Sequence, residues 1–286
     1  MIATQTTSPA APVIDEFLTH EMGTVAAGAP SGPKAVHLAA IGTTADKPLK
    51  SPMLRQALQA VAVEVATATP FPDAPALIDG AGWDLGIVLS PFKLEVAGRV
   101  DALSPSAQLT GVVDTVFAGS GQTFGVNSNT WAVLAVLRRL IGTAAPDRVL
   151  VLGSGGSTRS VLLAVQRAWP GAECVLSARD PARAAPIAER FDAQVVAPQD
   201  IADLRAGVVV NTTTWGETPE SETTPFAFDL AAALRPGVAY FDLNNRRSAL
   251  MEQALDGGCV VMSGTFMQRI THDCRAAGLR RWVDAR

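Results

Sequence analysis

From about Lys34 onward, short apolar runs alternate with longer segments in which apolar residues recur at helical spacing. VHLAAIG (36–42) is an apolar run closed by Gly. SPMLRQALQAV (51–61) sets Met53, Leu54, Ala57, Leu58 and Val61 on one helical face, with Pro52 at a permitted first position. VEVATA (63–68) alternates as a strand does, and DLGIVLS (84–90) is an apolar run ended by Pro91. GVVDTVFAGSGQTFGVN (111–127) reads as a hairpin, two alternating runs about Ala118-Gly119-Ser120-Gly121. A helix follows over 128–141, with Ser128 or Asn129 near its N-cap and Gly142 just past its end.

Beyond 148 the alternation is cleaner. Strands are predicted at 148–153, 172–178, 193–196, 207–211 and 238–243. Helices are predicted at 157–169, 181–191, 226–235, 247–256 and 264–278. Strand-helix alternation of this kind predicts an α/β fold with a parallel, doubly wound sheet. The break near 127 divides it into two lobes: an N-terminal α/β lobe over 34–127 and a Rossmann-type lobe over 128–262. The final segment, 263–286, is expected to return to the first lobe. Residues 1–33, rich in Ala, Thr, Gly, Pro and Ser, read as a flexible extension with a short helix at Val13–His20.

Composition narrows the class. The chain has 286 residues, 48% hydrophobic and 17% charged, with net charge −4. That excludes a mostly disordered chain. The acidic balance argues against nucleic acid as a partner, because it offers no general counterion-release drive onto phosphates. The three cysteines, Cys174, Cys259 and Cys274, show no CxxC spacing and suit reduced thiols. With no long apolar run and no signal-like start, a soluble cytoplasmic protein is expected, monomeric or homodimeric, with no membrane partner. Lys occurs only at 34, 47, 50 and 93. No cluster of His, Cys or carboxylates suggests a metal. His272-Asp273-Cys274 lies on a predicted helix, where neighbours point apart.

The strongest local signal is LVLGSGGSTRSVLLAV (150–165). A buried strand ends at Gly153, Ser154-Gly155-Gly156 turns the chain, and a helix begins near Ser157 and Thr158. Such a turn lets backbone approach a pyrophosphate, which rests on unpaired N–H groups at the positive end of the helix. The next strand ends at Ala178-Arg179, where a dinucleotide fold meets the adenosine ribose. Arg179, with Arg183 a turn later, can hold a 2′-phosphate, which points to NADP. Asp180 can contact a ribose hydroxyl, which keeps NAD as the alternative, or can cap the helix that starts at Pro181. GVVVNTTTWGE (207–217) brings Thr212, Thr213, Thr214 and Trp215 to the same sheet edge.

Taken in order, these segments resemble the shikimate dehydrogenase family over nearly all of residues 36–280. GSGGST (153–158) stands for its GAGGAA-type loop, ARDPARA (178–184) for NRT-x-x-RA, and NTTTWGE (211–217) for NATPLGM. YFDLNNR (240–246) stands for its YD-x-x-Y-x-P strand end. IGTTADKPLKSP (41–52) resembles its substrate loop, LGIVLSPFK (85–93) its GxNVTxPxK, GVVDTV (111–116) its GAVNTV, and GVNSNTWA (125–132) its GYNTDGxG. GTFMQRITHDCRAAG (264–278) resembles the closing helix that carries a Gln.

The resemblance implies a ketone/secondary-alcohol oxidoreductase that uses NADP and binds its substrate between the lobes. It assigns the catalytic Lys to Lys93, substrate contacts to Ser51, Leu89 and Gln268, and a cofactor contact to Gly264. The departures carry chemistry. Where the family has Ser, Asn and Thr around the substrate, this chain has Leu49, Ile87 and Leu89. A polyhydroxy acid would leave polar groups unpaired there, at roughly 1–3 kcal/mol each, which points away from shikimate and toward a specialised pathway. The family's Asn and Asp fall at Asp114 and Asn129, as if exchanged. The expectation is therefore that Lys93 and Asp114 form the acid/base pair, with Asn129 as a hydrogen-bonding partner. The rival reading is a diverged homologue that binds a nucleotide or metabolite without redox chemistry.

Overall fold

In a computed structural model, which describes residues 11–29, 32–80, 82–142 and 144–286, the apolar runs pair into two six-stranded sheets. The chain divides into two units, one ending at Ala135 and resumed over Arg269–Arg286, the other Val136–Gln268. The fold is mixed α/β.

The first unit holds α1 (Ala11–Glu21), β1 (Lys34–Ile41), α2 (Asp46–Leu49), α3 (Pro52–Ala60), β2 (Val63–Pro70), α4 (Ala74–Asp79) and β3 (Leu85–Val88). It continues through α5 (Lys93–Ala97), β4 (Ala102–Leu103), α6 (Pro105–Thr110), β5 (Thr115–Gly119), β6 (Gln122–Val126) and the start of α7 (Ser128–Ile141). Its sheet order is β2-β1-β3-β5-β6-β4. β1 runs parallel to β2 and β3, while β5 and β6 form the expected antiparallel hairpin. Ala39, Ile41, Leu77, Val88, Val96, Val113 and Val116 fill its core.

The second unit contains β7 (Arg148–Leu152), α8 (Gly156–Ala168), β8 (Glu173–Ser177), α9 (Pro181–Arg190), β9 (Gln194–Val196) and β10 (Val208–Asn211). Then come β11 (Ala239–Asp242), α10 (Ala249–Asp256), β12 (Val260–Ser263) and the first turn of α11 (Gly264–Asp284). The sheet is wholly parallel, in the order β12-β11-β10-β7-β8-β9. The chain enters at β7, winds outward through β8 and β9, then returns to β10 on the other side. β7 and β10 therefore flank the point where strand order reverses, the place where open α/β sheets bind ligands.

Three features depart from the sequence reading. The units divide inside α7 and α11 rather than ahead of them, because the first turn of α11 packs on its own unit: a Cβ at Gly264 would lie 2.0 Å from the Leu243 carbonyl. No helix forms at 226–235. Asp229 accepts a hydrogen bond from the Ala231 N–H, one turn closes on the Leu230 carbonyl, and Pro236 follows. Phe228, Leu230, Ala233 and Leu234 are nevertheless buried in the core of the second unit. Third, the N-terminal extension is not loose throughout. Residues 1–10 lie outside the described residues, but α1 is packed.

Its anchor is Glu21, 1% exposed. The carboxylate accepts from the Ser106 N–H at 3.0 Å, from the Ser106 hydroxyl, and from the Trp131 indole N–H at 2.8 Å. His20 stacks on the same indole at 5.5 Å. α1 thereby ties the starts of α6 and α7. Replacing Glu21 by Ala strands these donors in the interior. Urea unfolding of Glu21→Ala is expected to show a loss of about 2 kcal/mol or more, against near-neutral changes at exposed Asp15.

Candidate active site

A cavity of about 640 Å3 opens at the strand-order reversal of the second unit. Gly153, Ser154 and Gly155 form one side, Ala178, Arg179, Asp180 and Arg183 another, and Thr212–Trp215 a third. Gly153 has φ +113°, and a Cβ there would come 2.6 Å from the Thr212 hydroxyl oxygen. That hydroxyl contacts both the Leu152 carbonyl and Thr158 Oγ1, each at 2.7 Å. Gly153 is thus required by the chain itself. Gly155 differs: its φ is −87°, and a Cβ would meet no protein atom within 4 Å. Nothing in the protein demands glycine at 155, so the open space it leaves suits a ligand that needs backbone contact. Gly155 is also the N-cap of α8, with no side chain to satisfy the first amides.

The residues around the cavity fit a phosphorylated dinucleotide. Gly155 at the start of α8 borders it on one side, where helix-start amides would meet a pyrophosphate, and two exposed guanidiniums stand on the other. Asp180 is engaged as the N-cap of α9, accepting from the Ala182 N–H at 3.1 Å. Gly156, Ser157, Thr158 and Gly264 do not line the cavity. Thr158 is fully buried against Thr212, and Gly264 is small for packing.

The remaining wall consists of Ser221, Thr224, Pro225, Phe226, Ala227 and Phe228, none of them anticipated from sequence. Trp215 and Phe226 pack with ring centroids 5.0 Å apart, as do Phe226 and Phe228. The Trp215 N–H donates to the Thr224 carbonyl at 2.8 Å, and Arg246 pairs with Glu222 while donating to the Gly216 carbonyl at 3.0 Å. Asn244 donates to the Trp215 carbonyl at 2.8 Å. Beneath this loop, Asp242 accepts from Asn211, Tyr240, Ser248 and the Asn244 N–H. Burial nevertheless pushes its carboxyl above the usual range. The helical spacing of FAFDLAAALR concealed the wall; the Pro225-Phe226 step was the available signal.

In the first unit, Lys93 opens α5 and is half-buried; its carbonyl accepts from Val113 at 3.0 Å, beside Asp114. Asp114 has no exposed surface. Its Oδ1 accepts from the Thr115 hydroxyl at 2.6 Å, the Ser128 hydroxyl, and the Ser128 N–H at 3.2 Å. Its Oδ2 accepts from the Asn129 N–H at 2.7 Å. Arg275 Nη2 lies 3.8 Å from Oδ1. Both oxygens of Asp114 are thus taken by donors of the chain, and the carboxylate caps α7, a role beside the proton-carrying one expected from sequence. Asn129 is 8% exposed, and its Oδ1 accepts from Thr271 at 3.3 Å.

Other expected substrate contacts are more local. Ser51 caps α3, accepting from the Leu54 N–H at 3.4 Å. Leu49 and Ile87 are buried, Leu89 and Gln268 half-buried. Gln268 stands one turn before Thr271 on α11. Among the described residues, no group of His, Cys, Asp and Glu could hold a metal, and no helix is long and apolar enough to cross a membrane.

No family model matches the chain. It is 30% identical over 225 residues to the shikimate dehydrogenase (NADP(+)) of Brucella abortus (strain S19), across 76% of this chain and 75% of that protein. It is 29% identical over 181 residues to the shikimate dehydrogenase (NADP(+)) of Aquifex aeolicus (strain VF5). That match spans 63% of this chain and 65% of the relative, just under two thirds of its length. The crystal structure of shikimate dehydrogenase from Aquifex aeolicus aligns with a TM-score of 0.73 at 25% identity, covering 83% of this chain and 90% of that one.

Gly155→Val should weaken nucleotide binding at least about tenfold in a fluorescence titration while leaving Tm unchanged, whereas Gly153→Ala should lower Tm, its φ and the Thr212 contact both opposing a side chain. His272 concerns pH. Burial, then the neighbouring Arg275, push its imidazole down to about 3, with Nδ1 3.4 Å from Arg275 Nη1. The unfolded chain binds that proton below about pH 6.5 and the folded protein does not, so stability falls as pH drops from there toward 3. His272→Gln should flatten this limb by up to about 1.4 kcal/mol per pH unit in denaturant titrations.

Proposed function

The chain belongs to the shikimate dehydrogenase family of oxidoreductases, and from that premise we propose that it interconverts a ketone and a secondary alcohol on a cyclic or small acid substrate less polar than shikimate, using NADP. The observation that carries the reading is the second unit's cavity, with an uncrowded Gly155 on one side and Arg179 and Arg183 on another. The names of both curated relatives, shikimate dehydrogenase (NADP(+)), support the cofactor.

In this reading the amides at the start of α8 bind the pyrophosphate, and Arg179 and Arg183 hold the 2′-phosphate. Asp180 stays at its capping post and leaves the ribose to the arginines. A nicotinamide cofactor held there would supply or accept the hydride at the carbinol carbon. Lys93 gives a proton to the substrate oxygen as the alcohol forms and takes it back in reverse. Asn129 hydrogen-bonds that oxygen. Asp114 holds the start of α7 and touches no substrate. Leu89, half-buried where the family has Thr, offers no side-chain donor, so the substrate carries fewer groups to satisfy at that position than a trihydroxy acid does.

A neutral Asn129 where the family has Asp also favours a second reading, a homologue that binds the nucleotide without redox chemistry. Titration with NADPH and NADH, followed by a screen of carbonyl acids, separates the two. Micromolar NADPH binding with carbonyl-dependent oxidation supports the reductase; NADPH binding with no oxidation supports the second reading; no binding of either nucleotide sinks both. Arg179→Gln is expected to weaken NADPH roughly tenfold or more and to leave NADH nearly unchanged, since a charge-assisted phosphate contact contributes about 1.5–3 kcal/mol. Lys93→Met should cut kcat by about 100-fold or more with nucleotide affinity intact.

A further inference from the structure

We propose that Arg275, on the face of α11 that meets β5, is a positioning residue that sets Asn129 at the start of α7, acting through Asp114 and together with Thr271. The inference rests on the reading above for its kinetic consequence, but the placement of Asn129 is testable without it.

Arg275 is 4% exposed and all its outward reach is committed. Nε donates to the Thr115 hydroxyl oxygen at 2.9 Å, Nη2 to the Asp114 carbonyl at 3.1 Å, and Nη1 lies 3.4 Å from His272 Nδ1. Thr115 Oγ1 accepts from the guanidinium and gives its own hydrogen to Asp114 Oδ1 at 2.6 Å, an oxygen that can only accept. The Ser128 hydroxyl is turned to the same oxygen. One guanidinium thus meets both the Thr115 hydroxyl that donates to the carboxylate and the Asp114 backbone carbonyl.

That carboxylate then fixes two successive amides, Ser128 and Asn129, at the first turn of α7. One turn before Arg275, Thr271 reaches the Asn129 side chain directly. α11 therefore holds Asn129 by two routes, its backbone through Arg275 and Asp114 and its side chain through Thr271. A lysine at 275 has one point charge in place of the planar fork, and it cannot meet Thr115, Asp114 and His272 together. The pair is also charge-balanced where water is excluded, so the carboxylate remains an acceptor for both amides.

The test uses the full chain, with Arg275→Lys and the near-isosteric Thr271→Val as probes. Arg280→Lys, on the same helix but tied to Asp284 and the Val61 carbonyl, controls for general loss of stability. The Asn129 side-chain amide pair is identified in 15N–1H spectra by its disappearance in Asn129→Asp. We expect that pair to shift or broaden in Arg275→Lys and in Thr271→Val and to stay put in Arg280→Lys. In the same proteins kcat should fall roughly 10- to 100-fold in Arg275→Lys, with NADPH affinity unchanged, because a small misplacement beside the reacting group has that effect. Unmoved Asn129 signals in both probe variants overturn the proposal. Moved signals with unchanged kcat also overturn it, leaving a purely structural pair. If the wild type shows no turnover with any carbonyl acid, the functional reading falls, and the amide signals alone decide the positioning.

Discussion

A carboxylate taken wholly out of water must have its oxygens met by donors, and in this protein Asp114 is that carboxylate. Its donors come from residues 115, 128 and 129 and, at longer range, from Arg275. Leaving a charge of this kind unpaired costs about 3–5 kcal/mol, so the hairpin, the start of α7 and the last helix are held to one arrangement. The constraint extends to the backbone. The Asp114 carbonyl accepts from Val88 at 2.9 Å as well as from Arg275, and the neighbouring Val113 N–H meets the Lys93 carbonyl. The buried aspartate fixes the backbone of Asn129, and its chain neighbour Val113 ties the start of α5 at Lys93.

The second unit is governed by backbone geometry instead. Its cavity sits where β7 and β10 adjoin, and the two loops that leave them are linked by hydroxyl contacts rather than by regular structure. Thr212 occupies the space that a side chain at Gly153 would need. Thr213 folds back on Asn211 through both its N–H and its hydroxyl. Asp242 holds the loop from below, as Asp114 holds α7 in the first unit. In both units a buried acid fixes backbone.

How much of this was legible in the sequence depended on range. β7, α8, β8 and α9 show in a single stretch because buried aliphatic runs, a glycine turn and a cap at Asp180 all lie within about 40 residues of each other. α7 matches its expected span for the same reason. The segment 226–235 misled because its apolar spacing is helical while its chain closes only one turn; period alone cannot tell these apart. The role of Asp114 was illegible. A carboxylate at the end of an apolar run reads as an exposed acid or a catalyst, and the arginine that draws it inward lies 161 residues away. Glu21 was hidden in the same manner, since Ser106 and Trp131 are 85 and 110 residues distant.

In the reading proposed above, Asn129 in place of the family's Asp and Leu89 in place of its Thr act in one direction: each removes a charged or hydrogen-bonding group offered to substrate, while Asp114 keeps an acid inside, matched by Arg275. Had the carboxylate merely been lost, α7 would lack the acceptor for its first two amides. Had it moved without Arg275, a charge would stand buried and unbalanced. The arginine on α11 lets the fold keep its acid while the site gives one up, and Lys93 remains the charged group of the pair proposed to act on substrate. Selectivity then rests on which polar groups a substrate leaves unpaired, at about 1–3 kcal/mol each, rather than on added attraction.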